Sequence, residues 1–487
     1  MHLLLFVCVL ALCAAVGHAN LLGKSTKLNN KQKYSKANIV GDARKSEVHK
    51  HHGLSLPLLV VNVVADLCPH GMLPLAYGIA QEGGTGVVPA VALLLIFGTM
   101  SAYTMTSYAD MAVETNSNSI GEIWSKLINK DNVYIADLSV FALCFGCCIF
   151  YSAFIGDIFA YLSSALGVTS GIFSKRWALL AIVSSLFLLP LCLLEDLSAL
   201  QFSSLLGVGG IGLTFFTLLK RSMDGTYSLT SAMTKLLTVK PSWPTPKYSL
   251  WNAGKGTLVL ANMMCVAYLA HYNSINYYKE LTNHTPKRYK IAIGTGFGIS
   301  CSVFIGMMLL GYSIFGTTAQ PLILNNFHRT KDNLATAARF ATGLAITFAY
   351  PLMFAGLKSS LYNLVDNSNK KIVNQSNVKT AAVKPDNMLL KRAGCVLSLA
   401  MITSIAFKCG EEDVSLVLGI VGSVLGCGVA YILPAILRLK HMRNRKASGL
   451  TNNKFDVVFN HILAAAGTIF GILGVLITVE QEAKHHH

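Results

Sequence analysis

The stretch VVADLCPHGMLPLAYGIAQEGG, residues 63–84, sets a carboxylate (Asp66), an imidazole (His70), two prolines (Pro69, Pro74) and Gly71 within a run otherwise apolar enough to cross a bilayer. A charge at mid-bilayer costs about 2.5 kcal/mol or more, so Asp66 implies surroundings of protein or water, not lipid. Each proline removes a backbone donor, and Gly71 between them permits an unwound main chain. Such backbone survives at membrane depth only where it lines a cavity. A half-helix is expected to begin near Gly71 and Met72, presenting bare N–H groups and its positive end to an anionic group, as in the broken helices of secondary transporters. The plainer reading is a proline kink whose Asp66 pairs with a buried base.

A second interrupted segment follows at 259–281, VLANMMCVAYLAHYNSINYYKEL, where His271 and Asn262, Asn273 and Asn276 lie deep in an apolar run. Alone, His271 reads equally well as a core histidine satisfied by its neighbours. The two interrupted segments are the first and sixth of eleven apolar runs, the interval a five-helix repeat used twice would give.

Those eleven runs cover about 54–80, 86–109, 133–166, 174–193, 200–220, 252–278, 289–315, 333–363, 388–407, 413–437 and 456–479. Of the 487 residues 53% are hydrophobic and 13% charged, and the mean hydropathy is +0.51. A soluble domain carries about a quarter charged residues, so no water-soluble catalytic domain fits. The net charge of +17 sits in loops between spans, as the positive-inside rule requires, and does not indicate nucleic acid. With the first span starting in the cytosol, the basic loops around 279–290, 364–392 and 437–454 fall inside. The basic loop 220–247 falls outside and disagrees. Sequons at Asn283 and Asn374 lie in loops assigned to the cytosol, so their glycosylation would reverse the topology.

Residues 1–19 resemble a secretory signal without a basic n-region, and 20–53 read as a disordered basic tail. A cleaved signal would put that tail outside, against the orientation above. GVGGIG at 207–212 has dinucleotide-like spacing but lies within a span, so close helix packing is the better account. GKST at 23–26 lacks the P-loop spacing. His49, His51 and His52 sit in the tail without a fixed partner set, and Cys144, Cys147 and Cys148 read as small buried hydrophobes. The terminal KHHH is set aside.

At the two interruptions the chain resembles the amino acid/auxin permease family. PHGMLPLAYGIAQEG (69–83) matches that family's first-helix pattern at Gly71, Leu73, Leu75, Tyr77, Ala80 and Gly83, while Pro69 and Ala76 depart from it and Pro74 is added. VAYLAHYNSINYYKEL is similar to its sixth helix at Ala267, His271, Tyr278, Glu280 and Leu281. YSIFGTTAQPLILNNF (312–327), the eighth-span residues Ala345, Thr347 and Pro351, and the tenth-span LGIVGSVLGCGVAYILPAILRL extend the likeness over about 54–480.

The resemblance implies an all-α integral membrane protein of about eleven transmembrane helices, a 5+5 inverted repeat with discontinuous helices 1 and 6. It implies amino acid transport with sodium or protons and no other cofactor. Gly71 with its neighbours Leu67, Cys68 and Met72 would hold the substrate carboxylate, and Tyr268 to His271 would face the amine and side chain. Thr347 falls at the family's ion position, but Ala65 stands where sodium-using members carry an Asn. Asp66, a carboxylate in a low-dielectric wall, is therefore the expected proton site and a substrate neighbour. The expectation is a monomeric transporter in the plasma membrane or an endomembrane, its transport domain spanning 54–480 and a tail 481–487, with amino acid and lipid as partners. No nucleophile with an adjacent base, and no metal set, points to an enzyme. A sodium symporter, and a sensor that binds without cycling, are the alternatives; a channel is disfavoured, because the polar residues do not line any helix along its length.

Overall fold

A computed structural model describes residues 53–80, 84–168, 170–194, 201–243, 249–375, 388–409 and 419–485. The signal-like segment, nearly all of the basic tail, and Gly83 lie outside the described residues.

The first apolar run is two helices, α1 (Leu56–Gly71) and α2 (Leu75–Ala80). The second and third are α3 (Val87–Thr115) and α5 (Val133–Ala165), joined through the short α4 (Ile120–Leu127). Then come α6 (Arg176–Leu193), α7 (Gln201–Met223) and, in the following loop, the single turn α8 (Ala232–Lys235). The sixth run is again two helices, α9 (Lys255–Ala267) and α10 (Ser274–Glu280). The rest are α11 (Pro286–Phe315), α12 (Asn333–Gln375), α13 (Met388–Lys408), α14 (Val421–Ala447) and α15 (Lys454–His485). Among the described residues ten spans are long and apolar enough to cross a membrane, and the broken α1–α2 pair completes the eleven read from the sequence. Among the described residues no β-strand is formed, only isolated bridges.

Boundaries differ where polar residues continue a helix past its apolar run. α3 reaches Thr115 instead of 109, α12 reaches Gln375 instead of 363, and α14 runs to Ala447 instead of 437. Once a helix is nucleated each added residue gains a hydrogen bond, so apolar length marks the bilayer and not the helix end.

The helices sort into centre and rim by what they cover. α9 and α10 are almost wholly enclosed, whereas α13 and α15 expose Leu389, Leu397, Met401, Ile462, Ile469 and Leu476, as helices facing lipid do. α12 packs on α5 and α7, and α1 packs on α11 and α7. Gly210 of the GVGGIG run serves the α7–α12 contact: a Cβ there would lie 2.4 Å from the Ala341 carbonyl oxygen. Gly209 and Gly212 face open space, so only part of that run is a packing surface.

The start of α1 and the end of α10 lie side by side, Leu54 N–H donating to Glu280 O at 2.7 Å and Thr282 N–H to Leu54 O at 2.8 Å. At the opposite end the loop 316–332 closes over the bundle. Buried Arg339 donates to the carbonyls of Leu324 (2.8 Å) and Phe327 (2.7 Å), which draws that loop down onto α12. Asp332 accepts from Arg221 Nη2 (2.7 Å) and Tyr227 OH (2.8 Å), tying in the loop after α7. Burial opposes the Asp332 charge, but these donors and the Ala335 N–H hold its carboxyl below the usual range. Arg221 is thus committed to Asp332 and Asp224, so part of the basic charge in the 220–247 loop is neutralised within the fold.

Candidate functional site

The first break lies between Gly71 and Leu75. α1 continues through Pro69 to Gly71, and Met72 N–H still donates to Cys68 O at 3.1 Å. Helix resumes at Leu75, directly after Pro74, whose carbonyl accepts from Gly78 N–H at 3.0 Å. The half-helix therefore starts later than the expected Gly71 and Met72. A proline is tolerated as the residue preceding a new first turn, since its missing donor is lost there anyway. Leu67 and Cys68 lie inside α1, so their main-chain donors belong to the helix ladder and are not bare. Pro69, lacking an N–H, instead releases the Ala65 carbonyl, an acceptor beside Asp66.

The second break runs from Tyr268 to Ala270, followed by one 3₁₀ turn, His271–Asn273, before α10. The two breaks touch. A Cβ on Gly71 would stand 2.9 Å from Ala267 O and 2.4 Å from the Phe304 ring, so only glycine lets the segments come this close. His70 Nε2–H donates to Val266 O at 3.1 Å, which leaves Nδ1 to accept from Tyr151 OH on α5. One neutral imidazole thus joins the first break, the end of α9 and the third span.

Asp66 is fully buried and its carboxylate is held entirely by the sixth span. Oδ1 accepts from Tyr272 OH at 2.6 Å, while Oδ2 accepts from Tyr277 OH at 2.8 Å and Asn273 Nδ2 at 3.1 Å. The same Asn273 amide donates to Leu352 O of α12 at 2.9 Å. No cation is among these partners, so the buried base of the plainer reading is not what meets Asp66.

The other anticipated residues divide. Tyr268 is buried against Phe297 and Phe304, with centroids 6.0 and 5.1 Å away, and its hydroxyl has no hydrogen-bond partner among the described residues. His271 Nε2 meets Ser101 O at 3.1 Å and Thr104 Oγ1 at 2.9 Å, leaving Nδ1 buried without a partner. Thr347 is buried, and its hydroxyl donates to Gly343 O of its own helix at 2.7 Å, which leaves its oxygen lone pairs as acceptors. Met72 is buried at the break itself.

Several participants escaped the sequence reading. Tyr272 and Tyr277 are not among the expected site residues, since a tyrosine in an apolar span carries no mark of its partner, and Asn62, one turn before Asp66, is buried with neither amide atom partnered. Asp137, at the start of α5, lines a small cleft together with Asn118, Ser119, Tyr272, Ser360 and Asn363. The cleft opens at the end of the bundle where α1 begins, opposite the 316–332 cap. α4 also had a legible signal: Ser119 Oγ accepts from Glu122 N–H (3.1 Å) while Glu122 Oε2 accepts from Asn118 N–H (2.8 Å), a reciprocal cap readable as S-x-x-E.

Comparison with known proteins bears on this geometry. The family model described as "Transmembrane amino acid transporter protein" matches residues 52–479. The chain is 20% identical to amino acid transporter AVT6E of Arabidopsis thaliana over 82% of its length and 79% of the relative's. It is 20% identical to sodium-coupled neutral amino acid transporter 7 of Homo sapiens, over 62% and 63% respectively. Among solved structures, a crystal structure of MhsT in complex with L-phenylalanine matches with a TM-score of 0.52 and 13% identity, over 86% of this chain and 97% of that one. At that identity the likeness is one of fold, and the fold is the all-helical, first-and-sixth-broken bundle expected from the sequence. With the family model spanning both breaks and every helix between them, the chain belongs to the transmembrane amino acid transporter family, whose members are transporters and not enzymes.

Proposed function

We propose that the chain carries an amino acid across the membrane together with protons, the substrate sitting between the two breaks and the proton on Asp66. The observation that carries this reading is the Asp66 carboxylate, buried in the first break and gripped by three neutral donors from the sixth span. With no ion pair to break, Asp66 gains or loses a proton by rearranging hydrogen bonds alone, and those bonds join the two broken helices. Proton occupancy and helix position are thereby linked. The unpartnered Tyr268 hydroxyl and His271 Nδ1 are free to receive a polar substrate group, and the main chain after Gly71 faces the same junction.

Sodium coupling is the second reading, favoured by the name of the human relative and by the Ala65 carbonyl that Pro69 releases. Against it, position 65 lacks a side-chain oxygen.

The test is uptake of a panel of labelled amino acids into proteoliposomes, driven by an inward pH step, with and without sodium. The reading expects acid-driven uptake without sodium, and loss of that stimulation in Asp66→Asn while some substrate binding remains. Uptake that needs sodium, or an Asp66→Asn protein with full pH dependence, overturns the proton role. Saturable binding without uptake points to a sensor.

A further inference from the structure

We propose that Asp137 is the acid through which the coupling proton leaves Asp66 for the cytosol, a relay residue at the base of the open cleft. The inference rests on the proton reading of Asp66 given above.

Tyr272 is the shared element: its hydroxyl donates to Asp66 Oδ1 at 2.6 Å, and the same residue lines the cleft whose wall includes Asp137. Asp137 is 3% exposed, and among the described residues its two carboxylate oxygens accept from neutral amides, Asn363 Nδ2 at 3.2 Å and Asn367 Nδ2 at 3.4 Å. The carboxylate lies against the backbone of Gly121, where a Cβ would come within 2.5 Å of both oxygens. No ion pair to Asp137 is formed among the described residues.

The charged groups around it are turned elsewhere. Lys126 Nζ on α4 donates to the carbonyls of Thr115 and Asn116, and Lys279 Nζ on α10 to that of Asn118. On α12, Asp366 pairs with Lys391. Glu122 on α4 adds a like charge whose carboxylate is occupied by Asn118 N–H. A buried carboxylate without a cation is costly to keep charged, so it is suited to accept a proton. The cytosolic position of the cleft follows from the basic loops at that end of the bundle.

The step balances as a proton transfer alone. Protonated Asp66 gives its proton to the Tyr272 oxygen as the Tyr272 hydroxyl proton passes to a water entering the cleft, and that water gives a proton to Asp137, which releases it to the cytosol. Asp66 ends as carboxylate, again accepting from Tyr272, and no other bond is made or lost.

The test separates net uptake from exchange. Net uptake requires the proton to leave on the inside, whereas exchange of external labelled for internal unlabelled amino acid proceeds with the proton still bound. In Asp137→Asn, net pH-driven uptake is expected to fall by about a hundredfold, the low end of what one positioned acid–base group contributes. Exchange is expected to persist, which also shows that the protein folds and binds, and Asp137→Glu should restore net uptake. The relay is overturned if Asp137→Asn keeps net uptake, or if it loses both modes together, the mark of a structural or substrate-holding role. Failure of the Asp66 reading looks different: the unaltered protein itself would then show no pH-driven uptake.

Discussion

Replacing Gly71 with alanine tests the contact on which the site depends. The added methyl would lie 2.4 Å from Phe304 Cζ and 2.9 Å from Ala267 O, against ordinary contacts of about 3.4–4 Å, so each side must move by roughly 0.5–1 Å. Neither yields easily. Phe304 is fully buried against Tyr268, and Ala267 O is main chain at the very end of α9. Overpacking of this kind costs about 1–3 kcal/mol, offset by at most about 1 kcal/mol of helix propensity. The larger consequence is functional, because a misplacement of about 1 Å between reacting or binding groups can cost on the order of a hundredfold in rate. The assay is uptake by the purified protein in proteoliposomes beside its thermal unfolding midpoint in detergent. Gly298→Ala on α11, where the methyl meets nothing within 4 Å, is the control and should leave both unchanged or raise the midpoint. Phe304→Leu in the Gly71→Ala background removes one of the two clashes and should recover part of the loss. Gly71→Ala transporting at the unaltered rate and affinity would refute the direct apposition of the two breaks.

Two further outcomes follow. Asp332→Asn strips the fully buried partner from Arg221 and Tyr227, and breaking a buried pair of this kind costs about 3 kcal/mol, read as a lowered unfolding midpoint near neutral pH. Since the folded Asp332 carboxyl is held below the usual range, its contribution is complete above about pH 4, the unfolded Asp value, and disappears as pH drops through the folded value; the midpoint gap between the two proteins should close in that acid window. Asn283, in the exposed turn just before α11, should carry no glycan when the chain is made in a eukaryotic membrane; a shift removed by endoglycosidase would invert the orientation and put the cleft outside.

The expected span count survived because apolar length is a local property: about 20 apolar residues cross a bilayer whatever their neighbours. Helix ends did not survive as well, and the α12 extension to Gln375 shows why, since hydrogen-bond propagation ignores polarity outside the bilayer. The break in the first span was marked by Pro69, Gly71 and Pro74, yet which proline would interrupt the helix was not. α1 accommodates Pro69, and the interruption falls at Met72–Pro74, where Gly71 meets Ala267 O.

Residue types alone determined that this chain is a membrane bundle, that two of its spans are interrupted five helices apart, and that Asp66 sits where lipid cannot be. These conclusions need only transfer costs and backbone chemistry within some twenty residues. Tertiary structure decided what Asp66 meets, because Tyr272, Asn273 and Tyr277 lie more than two hundred positions away and tyrosines in an apolar span carry no mark of their partner. It likewise decided that His70 binds the main chain of the other break and that Asp137 faces a cleft beside Tyr272. Packing between distant segments sets those pairings, and hydrophobic burial, being non-directional, leaves no trace of them in the local pattern.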